Sequence, residues 1–255
     1  MPIRDDATVT PLGDRALRIG LGEQPDAATV ARVQALARSL REQPLPGQCD
    51  VVPAYTTVTL HYRPEALLDD TDPDDLRAPW ERLAAQVRGL LRRTRRGSAS
   101  TPREVVVPVC YGGDAGPDLA AVAAHCGLSE AEVIARHLAS AHQVCMLGFA
   151  PGFPFITGLD PALRTARRAT PRTRIPPGSV AIAREQTCIY PLDTPGGWNL
   201  IGRTPLRLFD PAAQPPSLLR PGDRLRFEAI DADRFAELQA TARPASRPRR
   251  SRSPA

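Results

Sequence analysis

The sequence contains no lysine: all 33 basic residues are arginine. That excludes a P-loop lysine, a Schiff-base lysine and a lysine general base. Aromatic residues are scarce, at 5% of the chain. The five cysteines (Cys49, Cys110, Cys126, Cys145 and Cys188) are odd in number, widely spaced and form no C-x-x-C pair. Neither a disulfide framework nor a zinc site is expected from them, and a reducing compartment suits them best. Long hydrophobic runs are missing as well. The longest charge-free apolar stretch, Leu147 to Leu159, is interrupted by Pro and Gly and is too short to span a bilayer. The opening segment MPIRDDATVT has two acids and no apolar core of a secretory signal. A cytoplasmic protein outside the membrane is the resulting expectation. No G-x-S-x-G elbow offers a serine nucleophile.

What is present is a chain of 255 residues with 28 prolines, each of which removes a backbone donor and fixes φ. Long uninterrupted helices, and with them a helical bundle, are disfavoured. The net charge of +5 is local. The last fifteen residues, TARPASRPRRSRSPA, hold Arg243, Arg247, Arg249, Arg250 and Arg252 and no acid, which leaves 28 arginines against 28 acids in residues 1–240. A neutral body with a basic tail does not read as a dedicated nucleic-acid binder.

The first ninety residues alternate short strands and helices. Strands are expected at Thr8–Pro11, Ala16–Leu21, Asp50–Val52 and Thr56–Tyr62, and helices at Asp26–Leu40, with Asp26 as N-cap, and at Leu76–Leu91. With the strand REVVVPVC (103–110) the order ββαββαβ suits a two-layer α+β unit. The segment RRTRRGSASTPR (92–103) has the composition of an exposed linker. Beyond it come a helix over Asp118–Cys126 and a second opening with Ser129-x-x-Glu132 at capping-box spacing. From Gln143 onward short β-rich runs (QVCMLGF, SVAIA, TCIYPL, NLIGRT, LRLF, DRLRFEAI) alternate with Gly/Pro turns, which predicts an all-β barrel or sandwich. The chain therefore divides into an N-terminal α+β domain (1–92), a linker (93–103), a β-rich domain (104–235) and a basic disordered tail (236–255).

Four stretches carry candidate chemistry. Gly148-Phe-Ala-Pro-Gly-Phe-Pro-Phe155 holds three of the six phenylalanines between turn residues, so Phe149 and Phe153 line a pocket or plug a loop. Residues Leu163 to Arg184 contain six arginines, and no acid lies between Asp160 and Glu185. Arginine forks match carboxylate or phosphate, so an anionic ligand competes here with a plainly solvated face. The third stretch is Gln186 to Tyr190. In the fourth, Gly196 and Gly197 beside Trp198 let the backbone approach a ligand while the indole packs over it. His137 and His142 are five apart and so would not share a helix face; no metal site is expected, and His137 suits the dipole at its helix end.

These segments, in this order, resemble the PxpB family, the B-subunits of 5-oxoprolinase, which includes the sporulation kinase inhibitor KipI and the protein called allophanate hydrolase subunit 1. The resemblance runs from Gly13-Asp-Arg-Ala-Leu17 and Val51-Val-Pro-Ala-Tyr55 through Pro108-Val-Cys-Tyr-Gly-Gly-Asp114 and Gly116-Pro-Asp-Leu119. It is strongest at Met146–Phe155 and continues through Arg167–Arg172, Pro177–Val180, Gln186–Pro191, Pro195–Trp198, Leu200–Thr204 and Leu219–Asp223. It implies a small N-terminal α+β domain followed by a cyclophilin-like β-barrel. It also implies work alongside subunits A and C in the ATP-consuming hydrolysis of 5-oxoproline to glutamate. With no recognisable nucleotide motif, the chain is expected to be inactive alone. The residue roles are a separate expectation, drawn from the pocket residues and not from the resemblance: Arg172 or Arg203 to grip the carboxylate of such a substrate, and Gln186 and Tyr190 to bond the lactam edge. Trp198, with Phe149 and Phe153, covers the ring. ATP enters as a co-substrate of the complex. The competing class is a KipI-like inhibitor of a sensor histidine kinase.

Overall fold

The computed structural model describes residues 7–68, 77–94 and 102–242. The chain falls into two compact units that part between Arg103 and Glu104, the first also taking in the short segments Val144–Leu147 and Arg220–Asp223.

The first unit is a two-layer α+β arrangement. Strands β1 (Thr8–Pro11), β2 (Ala16–Gly20), β3 (Gln48–Pro53) and β4 (Thr57–Tyr62) form an antiparallel sheet in the order β1-β2-β4-β3. Period-two alternation puts Leu17, Ile19, Val58, Leu60 and Tyr62 on one face, where all are buried. Helices α1 (Ala27–Glu42) and α2 (Pro79–Thr94) cover that face with Val33, Leu36, Leu40, Leu83 and Val87. Asp26 caps α1 as expected, its carboxylate accepting from the Thr29 N–H at 2.7 Å. Helix α2 extends two residues into the segment read as linker, whose residues 95–101 lie outside the described ones.

The second unit begins with β5 (Glu104–Tyr111), inside the β-rich domain expected from residue 104, although the order ββαββαβ also counts this strand with the first unit. β5 pairs in parallel with β13 and antiparallel with β12. Its branched run Val105-Val106-Val107 lies opposite Leu225, Arg226 and Phe227 of β13. Helices α3 (Leu119–Cys126) and α4 (Glu130–Ala139) follow, α4 opening with the full capping box of Ser129 and Glu132. The remaining strands are β6 (Gln143–Leu147), β7 (Pro154–Thr157), β8 (Arg172–Ile175), β9 (Ser179–Ala183), β10 (Gln186–Ile189), β11 (Thr194–Gly196), β12 (Asn199–Arg203) and β13 (Arg224–Ala229). Six of them close with β5 into a seven-stranded barrel in the order β10-β7-β6-β13-β5-β12-β9, and β8 and β11 form a separate two-stranded ribbon. The architecture is α+β with a barrel, as expected.

Four details depart from the sequence reading. Residues Pro154–Thr157 form a strand despite their turn-like neighbours, because Pro154 occupies the first position, where a missing N–H interrupts little. The run LRLF (206–209) is not a strand: Pro205 precedes it, Pro211 follows, and Phe209 makes one isolated bridge to Ser217. The ribbon strands are too short and polar to register as strands along the chain. Finally, helix α5 (Ala232–Ala242) occupies the start of the segment assigned to the disordered tail. Asp231 accepts from the Arg234 N–H at 2.8 Å to start it, and the half-buried Phe235 and Leu238 share one face. Residues 243–255 lie outside the described ones.

Among the described residues no helix is long and apolar enough to cross a membrane, and no group of three or more His, Cys, Asp or Glu is placed to hold a metal ion.

Candidate functional site

The barrel has two faces, and the buried His137 separates them. Its Nδ1 lies 2.8 Å from the Tyr111 hydroxyl on β5, its Nε2 lies 3.3 Å from Thr187 Oγ1 on β10, and its ring centroid lies 4.7 Å from that of Phe227 on β13. β10 stands well round the ring from β5 and β13, so these side chains point inward and α4 plugs the barrel. Thr187 pairs with Ile182, which therefore also faces inward, while their alternates Ala181, Ala183 and Cys188 face outward.

On that outer face Ala181, Ala183 and Cys188 make a floor of small side chains. Phe153, Tyr190, Trp198, Leu200 and Ile175 pack over it as one cluster, with Ala150 and Phe155 at its margin. The β8–β11 ribbon brings Arg172 opposite Gly196 at one edge. Phe153 is the centre of an aromatic chain, with ring centroids 5.2 Å from Phe149, 5.0 Å from Phe155 and 5.3 Å from Tyr190. Phe155 in turn meets Trp198 edge-on at 6.3 Å.

The residues singled out in the sequence thus separate into groups. Phe153, Tyr190, Gly196, Gly197 and Trp198 come together. Phe149 sits above them, 68% exposed and at φ 70°, a left-handed conformation that costs a bulky residue about 1–2 kcal/mol. Gln186 is half-buried at the β9–β10 turn, opposite Ala183 on the outward side. Tyr190 is buried, and its hydroxyl takes a hydrogen bond from the Trp198 backbone, while burial, the largest influence, raises its pKa. A Cβ on Gly196 would lie 2.3 Å from that hydroxyl and 2.8 Å from Ile175 Cδ1, so only glycine fits. Arg203 does not join the group. It ends β12, four residues past Asn199 and so about 13 Å along the strand. Its Nε donates to the Pro177 carbonyl at 2.9 Å and its guanidinium lies 5.9 Å from the Phe235 ring centroid.

Arg172 joins the group, but with an acid of this chain. Its two terminal nitrogens donate to Asp118 at 2.8 and 2.9 Å, Arg168 donates to the same carboxylate at 2.7 Å, and the Leu200 N–H adds a fourth bond at 2.8 Å. The Asp118 side chain is 5% exposed. Burial alone would raise its pKa, but the bonds from Arg172 and Leu200 and the charges of Arg172 and Arg168 outweigh it and lower the pKa. A reading confined to residues 160–185 cannot supply this acid, which lies immediately before α3. The other arginines of the stretch divide: Arg174 pairs with Asp193, Arg164 pairs with Glu185, and Arg167 stands over Trp198 with its guanidinium carbon 5.7 Å from the ring centroid.

His137 and His142, expected to lie apart, meet with ring centroids 4.6 Å apart, because the chain turns back after α4 ends at Ala139. His142 Nε2–H donates to the His137 carbonyl at 2.8 Å, while its buried Nδ1 has no hydrogen-bond partner among the described residues. Burial, aided by the neighbouring His142, pushes the His137 pKa well down, so His137 is a neutral packing group and not a cation at a helix end.

Residues 7–219 match the family described as carboxyltransferase domain, subdomain C and D. The chain is 43% identical over 219 residues to the 5-oxoprolinase B-subunit of Bacillus subtilis (strain 168), covering 86% of this chain and 91% of that protein. It is 42% identical over 217 residues to the 5-oxoprolinase B-subunit of Escherichia coli O157:H7, covering 85% and 93%. Among solved structures, the crystal structure of TTHA0988 superposes with a TM-score of 0.71 at 39% identity, covering 86% of this chain and 40% of that one. The chain thus spans about two-fifths of that longer protein.

Proposed function

The chain belongs to the family of 5-oxoprolinase B-subunits, and on that premise we propose that it acts with subunits A and C to open 5-oxoproline to glutamate at the expense of ATP. The observation that carries this reading is the match along nearly the whole length of the curated relatives, through every segment that builds the outer barrel face.

The chemistry asks for an activated amide. A five-membered lactam is a poor electrophile. Transfer of the ATP γ-phosphoryl to its amide oxygen, with ADP leaving, makes the carbon attackable. Water then adds to that carbon, the C–N bond breaks to free the amine, and a second water releases the phosphoryl group as phosphate. The outer barrel face fits the binding part of this work. The exposed Phe149 and half-buried Phe155, backed by the buried Phe153 and Trp198, offer apolar cover for the ring methylenes, and the half-buried Gln186 lies on the same face for the lactam edge. Tyr190 supports the Gly196–Trp198 turn from beneath. With no lysine in the chain, triphosphate recognition through a P-loop falls to another member of the complex.

Assembly is tested by tagging this chain and co-expressing it with subunits A and C. A complex of all three that persists through size exclusion supports the reading. Failure to retain either partner at micromolar concentration contradicts it.

A further inference from the structure

The outer face holds a cation whose placement neither fold packing nor ion pairing explains. Arg167 is exposed and makes no ion pair among the described residues, yet it is held firmly from both sides. The Ala166 carbonyl accepts from Asn199 Nδ2 at 2.8 Å, and the Arg168 N–H donates to the Gly197 carbonyl at 2.7 Å. One residue earlier, Thr165 bridges to Arg184. The Arg168 side chain is fixed on Asp118. The backbone on both sides of Arg167 is therefore tied to the barrel wall, and its guanidinium stands over the Trp198 ring. Its charge reaches the Cys188 thiol in the floor and the Tyr190 phenol beside it, acting against burial, the largest influence on both.

The surrounding charge reinforces this. Asp118 is one carboxylate shared between two arginines, so the cluster of Asp118, Arg168 and Arg172 keeps a net positive charge. Neither of the two arginines expected to grip a carboxylate is placed as Arg167 is: the Arg172 fork lies on Asp118, and Arg203 lies at the far end of β12. Arg203 also stands over a ring and has no ion pair among the described residues, but it does so over Phe235, away from Trp198. Beside Trp198 it is Arg167 that combines a guanidinium without an ion pair among the described residues, an aromatic plate beneath it and a pre-positioned backbone, and such pre-positioning reduces the ordering lost on binding.

The geometry points to Arg167 as the residue that binds the carboxylate of the ring substrate, with the buried Trp198 as the aromatic backing that holds its guanidinium at the surface. Asp118 is a positioning residue that holds Arg168 and Arg172 beside it. This inference rests on the proposal that 5-oxoproline is the substrate.

The test uses the complex of all three subunits and two probes, 5-oxoproline and its uncharged primary amide. Arg167→Gln should raise the KM for 5-oxoproline roughly 10- to 100-fold, the loss expected for a charge-assisted hydrogen-bonded pair, with kcat changed little. The KM for the amide should not move, so the preference for acid over amide collapses. Arg167→Lys, which keeps the charge and loses the fork, should fall between. Because the side chain is exposed, the unfolding midpoint of the variant should equal that of the parent. An unchanged KM and an unchanged acid-to-amide preference in Arg167→Gln overturn the inference while leaving the substrate assignment standing. Should the parent complex fail to open 5-oxoproline, and should 5-oxoproline fail to quench Trp198 emission in a Trp80→Phe background, the substrate assignment falls and this inference falls with it.

Discussion

Replacing Asp118 by alanine removes a carboxylate that accepts four hydrogen bonds within the second unit. The Leu200 N–H is buried and would lose its partner, which costs about 1–3 kcal/mol. Arg168 and Arg172 would lose their counter-charge, but their side chains are 36% and 25% exposed, so water screens much of that loss. Adding these effects gives about 2–4 kcal/mol, below the 3–5 expected for breaking a fully buried pair. At about 2–4 °C per kcal/mol for a unit of this size, the thermal midpoint should fall by roughly 4–16 °C. Asp118→Asn keeps an acceptor for Leu200 and should fall about half as far. The pH dependence gives a second check. The folded pKa of Asp118 lies below its ordinary value of 3.8. Its contribution is therefore complete above the ordinary carboxylate range and is lost as pH falls through the folded value. The parent should lose its advantage over Asp118→Asn below about pH 4. Thermal and urea unfolding measured from pH 3 to pH 7 follow both effects. A loss under about 1 kcal/mol for Asp118→Ala, or a gap between parent and Asp118→Asn that does not narrow in acid, would refute the clamp.

Three further outcomes follow from the same packing. Gly196→Ala forces a Cβ to within 2.3 Å of the Tyr190 hydroxyl and should destabilise by about 1–3 kcal/mol; in a Tyr190→Phe background the loss should shrink, and additive losses in a double-mutant cycle would count against the contact. His142, buried, has its pKa pushed down to about 4, so the folded state resists its protonation; stability should be full above about pH 6.5 and decline by up to about 3 kcal/mol toward pH 4, with a shallower decline in His142→Phe. Equal slopes in the two proteins would contradict that assignment. Native alkylation followed by mass spectrometry should label the exposed Cys49 first and reach the buried Cys145 and Cys188 only on unfolding. Early labelling of Cys188 would mean the outer floor is open to reagent.

How far the sequence shows this molecule depends on how local each signal is. Helix α1 is legible because Asp26 and the spacing of Val30, Val33, Leu36 and Leu40 lie within one element, and α4 because Ser129 and Glu132 are three residues apart. Strand β5 is legible as a strand, and the boundary at residue 104 puts it in the β-rich domain, but its pairing is not legible, since its partner β13 begins 120 residues later and nothing local announces it. The aromatic and glycine segments of the candidate site are visible as composition, and they do converge. What stays hidden is the division of labour among the arginines. Arg167, Arg168 and Arg172 look alike along the chain; Asp118, 50 residues before Arg168, separates the clamped pair from the one left over Trp198. The inward burial of His137 is equally non-local, because it depends on barrel closure bringing β5, β10 and β13 round one ring.

The central claim is that this chain is an obligatory part of an ATP-dependent lactam hydrolase. It is tested most directly by measuring glutamate released from 5-oxoproline in a mixture of subunits A and C with ATP, with and without this chain. The account predicts glutamate formation that requires both ATP and this chain and disappears when either is omitted. Equal rates with and without the chain, or no glutamate from a complete and stably assembled complex, would contradict it.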